Sequence, residues 1–210
     1  MGIAERKERE KQKRREEIVA AAEKVFFSKG FEEATMEEVA ETAELSKGTL
    51  YLYFSSKDDL HMAVAERAIR LLRDKTSAAI STGKNALEKL RLMGQACVKF
   101  ASTHPDQMHA IMAVEDLEPG DVSMTTEDVQ DLIYRRSTVG TVIEVLEQGL
   151  EEETIRSDLP VVLMANTLWM SVLSVIRFIS RKKLLMEMLE VSPAEVYDSH
   201  FELVINGIRP

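Results

Sequence analysis

The sequence is short of residues that staple or interrupt a chain. Its single cysteine, Cys97, cannot form an internal disulfide, and no Cys/His cluster surrounds it, so a secreted disulfide scaffold and a zinc finger are both excluded. A reducing cytoplasm is the expected setting. Nine glycines, five prolines and 6% aromatics are few for 210 residues, and no alternating β-type run or internal repeat is present. The N-terminus is charged from Glu5 to Glu17 and lacks the apolar core of a secretory signal, so it reads as part of the mature protein. The longest apolar stretch, Val161 to Ile179, is broken by Asn166, Thr167, Ser171, Ser174 and Arg177, which marks a buried or interface helix and leaves no membrane partner to expect. Enzyme signatures are missing too: no nucleophile elbow, no phosphate-cradling glycine loop and no acid–base pair. We therefore expect no catalysis, no metal and no cofactor. His61, His104, His109 and His200 lack ligand spacing, and Glu151, Glu152 and Glu153 read as a solvated face.

Apolar residues make up 45% of the chain and charged residues 30%, the balance of a globular, helical protein. The net charge of −9 argues at first against nucleic acid, whose phosphates demand Lys and Arg. Its distribution reverses that argument. Residues 1–15 carry seven basic side chains (Arg6, Lys7, Arg9, Lys11, Lys13, Arg14, Arg15) against Glu5, Glu8 and Glu10. Beyond residue 57 stand 16 basic and 24 acidic groups, so the negative charge lies away from the N-terminal segment.

Helical periodicity runs through the chain. Ile18, Ala22, Val25 and Phe26 share one face of a helix that leads from the basic arm to about Ser28, where Lys29-Gly30 ends it. Thr35 and Glu38 match a capping box for a short second helix carrying Val39 and Ala40 inward. Ser46 caps a brief third helix. From Lys57 a fourth shows Leu60, Val64, Ala68 and Leu71 on one face and bridges to the remainder. Further helices are expected over Asn85 to about Thr103, around Asp106–Asp116, from about Thr125 to Gly149, over Val161–Ser180 and over Pro193–Ile208, with a loop from Pro119 to Ser123.

The stretch from Thr35 to Phe54 reads as helix, tight turn, helix, the arrangement that sets a second helix into a major groove. Val39, Ala40, Ala43, Leu45 and Leu50 can pack the two helices together, leaving Lys47, Gly48, Thr49, Tyr51 and Tyr53 outward. Lys47 and Lys57 suit phosphates, Thr35, Thr49 and the tyrosine hydroxyls can donate to them, and Gly48 permits close approach. Thr49 can meet a thymine methyl, but this helix has no Arg, Asn or Gln for a bidentate base contact.

Over Arg14–Leu60 the sequence resembles the tetracycline-repressor (TetR) family of bacterial regulators. The shared residues are Ile18, Ala22, Phe26, Gly30-Phe31, Thr35, Val39-Ala40, Ala43, Ser46, Gly48-Thr49-Leu50-Tyr51, Phe54, Lys57 and Leu60. The resemblance implies an all-α protein: an N-terminal three-helix helix-turn-helix DNA-binding domain (residues 1–57), joined by a bridging helix to a larger C-terminal ligand-sensing and dimerisation domain (58–210). It also implies DNA contacts at Thr35, Lys47, Gly48, Thr49, Tyr51, Tyr53 and Lys57, with Ser46 counted beside them. Glu44 departs from the glycine frequent in the inter-helix turn, and Glu37 stands where some relatives carry a basic contact.

Beyond residue 58 only the general layout and the segment Ile155–Pro160 resemble the family. Met93, Phe100, Met108, Met112, Trp169 and Phe178 are candidates for an adaptable apolar pocket. Leu168, Val172, Val175, Val196, His200 and Val204 are candidates for a dimer interface of two late helices and their twins. The expected partners are a palindromic double-stranded DNA operator, a second copy of the chain and a small apolar ligand. A regulator that answers to a protein or activates transcription, and a helical interaction protein that binds no DNA, are the alternatives.

Overall fold

The computed structural model describes residues 2–115 and 137–210, which form ten helices and, among the described residues, no strand. The all-α expectation holds. The loop Pro119–Ser123 and the helix start at Thr125 lie outside the described residues. Of the described residues, 2–68 and 109–115 form one compact unit, and 69–108 and 137–210 form another.

The first unit is built from α1 (Ile3–Lys29), α2 (Met36–Thr42), α3 (Lys47–Tyr51) and the start of α4 (Lys57–Ile80). The inward face of α1 buries Ile18, Ala22, Val25 and Phe26, and Gly30 ends the helix at φ 86°, where its N–H donates to Phe26 O at 2.8 Å. That positive φ suits glycine. Ile18, Val39, Leu50, Leu60 and Val64 are fully buried together, each contributing about 1.5–3 kcal/mol of apolar burial. The Thr35 hydroxyl accepts from Glu38 N at 3.2 Å and the Glu38 carboxylate accepts from Thr35 N at 3.0 Å, closing the expected capping box.

The second unit holds the end of α4, α5 (Ala86–Thr103), the start of α6 (Pro105–Glu115), α7 (Thr138–Glu151), α8 (Val161–Arg181), α9 (Lys183–Met188) and α10 (Pro193–Ile208). α5, α7, α8 and α10 pack against one another. Asn85 caps α5 by accepting from Glu88 N at 2.9 Å, and Ser192 with Glu195 closes a capping box on α10 with Pro193 in its first turn. Gly94 on α5 leaves no room for a side chain, because Tyr197 of α10 closes over it and donates its hydroxyl to Arg91 O at 3.1 Å. α8 is long and apolar enough to span a membrane by length and composition. Here it buries Met164, Ala165, Trp169, Leu173, Val175 and Ile176 against its neighbours.

Candidate nucleic-acid interface and sensor cavity

α2 and α3 are joined by a turn in which Glu44 takes φ 56°, a left-handed conformation that glycine adopts at lower cost. Leu50 anchors α3 in the core at 0% exposure, while Ala43, Leu45 and Tyr53 lie half-buried against it. Ser46 caps α3, its hydroxyl accepting from Thr49 N at 3.1 Å and lying 2.8 Å from Thr49 Oγ1. Lys47, Gly48 and Tyr51 are exposed and Thr49 is half-exposed, so one side of this short helix is free of the protein's own packing. A Cβ at Gly48 would meet nothing within 4 Å. The fold leaves that position open, as close approach by an outside backbone requires.

Three further expected contact residues have intramolecular partners. Lys47 bonds to Glu37, which holds the ammonium above its ordinary pKa and the carboxylate below its own, so both stay charged at neutral pH. Lys57 donates to Phe31 O, Glu32 O and Ala34 O at 2.9, 3.2 and 3.3 Å and lies 4.4 Å from the Phe31 ring centroid. All three of its donors thus serve the α1–α2 loop. The exposed Thr35 hydroxyl is engaged as a cap. Glu37 as the counter-ion of Lys47 is not visible in the sequence, where the two stand ten positions apart.

α1 adds a second basic element. From Ala4 to Arg14 every residue is exposed, and Lys7, Lys11, Arg14 and Arg15 follow one another at i, i+4, i+7 and i+8. Arg15 ends this stripe with its guanidinium 4.9 Å from the centroid of Phe54, just beyond α3.

The second unit holds a partly open cavity of about 40 Å³ between α5, α7, α8 and α10. Met93 and Trp169, expected in a pocket, line it. Phe100 and Met108 are buried elsewhere in the unit, Phe100 stacked on His104 at 4.8 Å; Phe178 is half-buried, and Met112 belongs to the first unit. Leu168, Val172, His200 and Val204, read from the sequence as interface residues, line this same cavity, Val175 is buried and Val196 half-buried. Leu90, Met93, Gly94 and Cys97 form one α5 face, at i, i+3, i+4 and i+7, and of these only Met93 is among the expected pocket residues.

A capped helix, a tight turn and a second capped helix with an open outer side define a helix-turn-helix DNA-binding protein. Residues 18–64 match the family described as bacterial regulatory proteins, tetR family. The transcriptional activator FasR of Mycolicibacterium smegmatis is 32% identical over 126 residues, covering 58% of this chain and 57% of its own length. That match spans less than two thirds of the relative. The transcriptional repressor KstR2 of the same organism is 26% identical over 76% of this chain and 78% of its own. Among solved structures, the fatty acid degradation regulator FadR from Bacillus halodurans superposes with a TM-score of 0.67 at 18% identity, covering 92% of this chain and 99% of that one. Residues 18–64 carry the DNA-binding domain of the TetR family, and the chain is similar to transcriptional regulators of that family. Regulators of this family are dimeric, bind DNA operators and act in the cytoplasm without catalysing a reaction.

Proposed function

We propose that this protein is a homodimeric repressor, released from a palindromic operator when a small, mostly apolar ligand occupies the cavity of the second unit. The observation that carries the ligand part is the cavity wall, to which, among the described residues, Asp, Glu, Lys and Arg contribute no side chain. In the complex, Lys47, Thr49 and Tyr51 meet the DNA, Gly48 admits the phosphate backbone, and the stripe on α1 adds phosphate contacts. α4, whose residues fall in both units, carries the signal: ligand shifts the populations of two α4 positions, only one of which suits half-sites about 34–36 Å apart. The sides of α8 and α10 turned away from the cavity supply the self-association surface, since Val162, Leu163, Met170 and Leu203 are each at least half exposed in the single chain.

A gel shift on DNA upstream of the protein's own coding region, run over a salt series, tests the reading. Selective binding that Lys47→Ala and Tyr51→Ala abolish supports it. Equal binding to unrelated DNA defeats it. FasR, the relative named as an activator, favours activation as a second reading. Reporter transcription with and without the protein separates the two, because a repressor lowers it and an activator raises it.

A further inference from the structure

We propose that the cavity of the second unit selects an uncharged, mostly apolar molecule bearing a hydroxyl or carbonyl oxygen, and that the Thr138 hydroxyl is its anchor. The inference rests on the sensor reading above and adds the chemistry of the ligand. Leu90, Met93, Val142, Leu168, Trp169 and Phe201 supply most of the wall. A carboxylate or ammonium placed among them would lose hydration without gaining a counter-ion from the described residues, a cost that disfavours a charged head group there.

Thr138 also lines the cavity, and it differs from the other polar groups. It is 2% exposed, and its Oγ1 has no hydrogen-bond partner among the described residues. Buried hydroxyls in folded proteins are nearly always paired, so an unpaired one on a cavity wall marks a place where a ligand supplies the partner. The Ser171 hydroxyl is already engaged, donating to Leu168 O at 2.7 Å. Burial pushes the Cys97 thiol up to about 12, which keeps it protonated and poor as a nucleophile, so binding is non-covalent. His200, also on the wall, is held below its ordinary value by burial and is neutral, adding a polar group but no charge. At about 40 Å³ the space exceeds what one water needs by roughly threefold, and a ring-sized ligand enters by displacing the flexible Met93 and Leu90 side chains. Ligand entry therefore moves α5 side chains against α7, α8 and α10.

Trp169 is the only tryptophan in the chain and stands on the cavity wall, so its fluorescence reports occupancy without a label. The full-length protein is titrated with cyclohexanol, cyclohexane and cyclohexanecarboxylate. Cyclohexanol is expected to bind tightest and the carboxylate not to saturate. Thr138→Val should weaken cyclohexanol roughly 3–10-fold while leaving cyclohexane unchanged or tighter, and Thr138→Ser should restore the alcohol. Thr138→Val should also melt higher without ligand, which shows that it folds. An alcohol and an alkane that respond alike to Thr138→Val, a carboxylate that binds best, or the absence of any saturable response overturns the proposal. The gel shift separates it from the sensor reading. Cyclohexanol bound through Thr138 without loss of DNA affinity defeats release and leaves the anchor standing; release unaltered by Thr138→Val does the reverse.

Discussion

Gly48 stands inside a five-residue helix, where glycine costs about 0.5–1 kcal/mol relative to alanine, and no neighbouring atom requires it. A residue that weakens the fold without helping its packing is explained by what approaches from outside. Gly48→Ala should therefore raise stability by about 0.5–1 kcal/mol in denaturant melts and lower operator affinity in the same preparation. Stability and affinity falling together would mean that the glycine serves the fold. His61 shows the opposite case, a polar side chain that serves packing. It stacks on Phe31 at 4.1 Å and meets Phe26 edge-on at 6.0 Å, and burial holds its pKa below the ordinary 6.5. Asp58 and Glu32 favour its charged form and Lys57 opposes it, but burial is the larger influence. Because the unfolded chain binds this proton more readily, the stability it contributes is full above pH 6.5 and lost as pH falls through the lower folded value. His200 is shifted in the same direction, so His61→Leu should remove part, and not all, of the fall in Tm measured between about pH 7.5 and 5.5.

Three helices, α2, α7 and α9, end in the same way, with a glutamate at positive φ just past the cap: Glu44 at 56°, Glu153 at 54° and Glu190 at 56°. After α2, Leu45 N donates to Ala40 O at 2.8 Å and Glu44 N to Glu41 O at 3.0 Å, and equivalent pairs of bonds follow α7 and α9. This is the Schellman arrangement with glycine's position filled by a residue that carries a steric penalty of about 1–2 kcal/mol. Glu44→Gly should thus raise stability by about 1 kcal/mol without moving α3, which a thermal melt and an unchanged operator affinity would check together. The caps Thr35, Ser46, Asn85 and Ser192 were legible in the sequence, because they announce a helix start by their own chemistry; Ser137, which caps α7 by accepting from Val139 N at 3.1 Å, was hidden inside a longer apolar pattern. α9 was not legible either: it is six residues long, its preceding Lys182 makes no side-chain cap, and it has no room for a repeating face. Tyr53 was expected outward and is half-buried, because α3 ends at Tyr51 and the periodicity that turns Tyr51 outward stops there. Leu168 and Val172 show a deeper limit, since apolar spacing marks a residue as covered without saying whether its own chain or a second copy covers it.

At the scale of the whole molecule, a net charge of −9 repels DNA, and binding depends on the sites where cations stand clear of acids. Near α3 the local balance is poor, for Lys47 is paired with Glu37 and Lys57 is held by loop carbonyls. The outer half of α1 is different. Its 27 residues extend about 40 Å, and the ion pairs Arg6–Glu10 at 2.9 Å and Arg14–Glu17 at 2.7 Å support a helix that, among the described residues, nothing else packs against before Arg15. Lys7 and Lys11 take part in none of the ion pairs among the described residues and share one face, so under the proposed function they release counter-ions from DNA beside the segment that α3 meets. Replacing both with glutamine should reduce the slope of log K against log salt by up to about 1.8 per protomer, near 0.9 for each phosphate no longer neutralised. Both side chains are exposed, so Tm should not change. The affinity loss should be the same on the operator and on unrelated DNA, because phosphate contacts carry no sequence information. A slope that stays constant would place the stripe away from the DNA and leave α3 with its paired lysine to account for all binding, and Glu37→Gln, which releases Lys47, would then be the substitution that steepens the salt dependence.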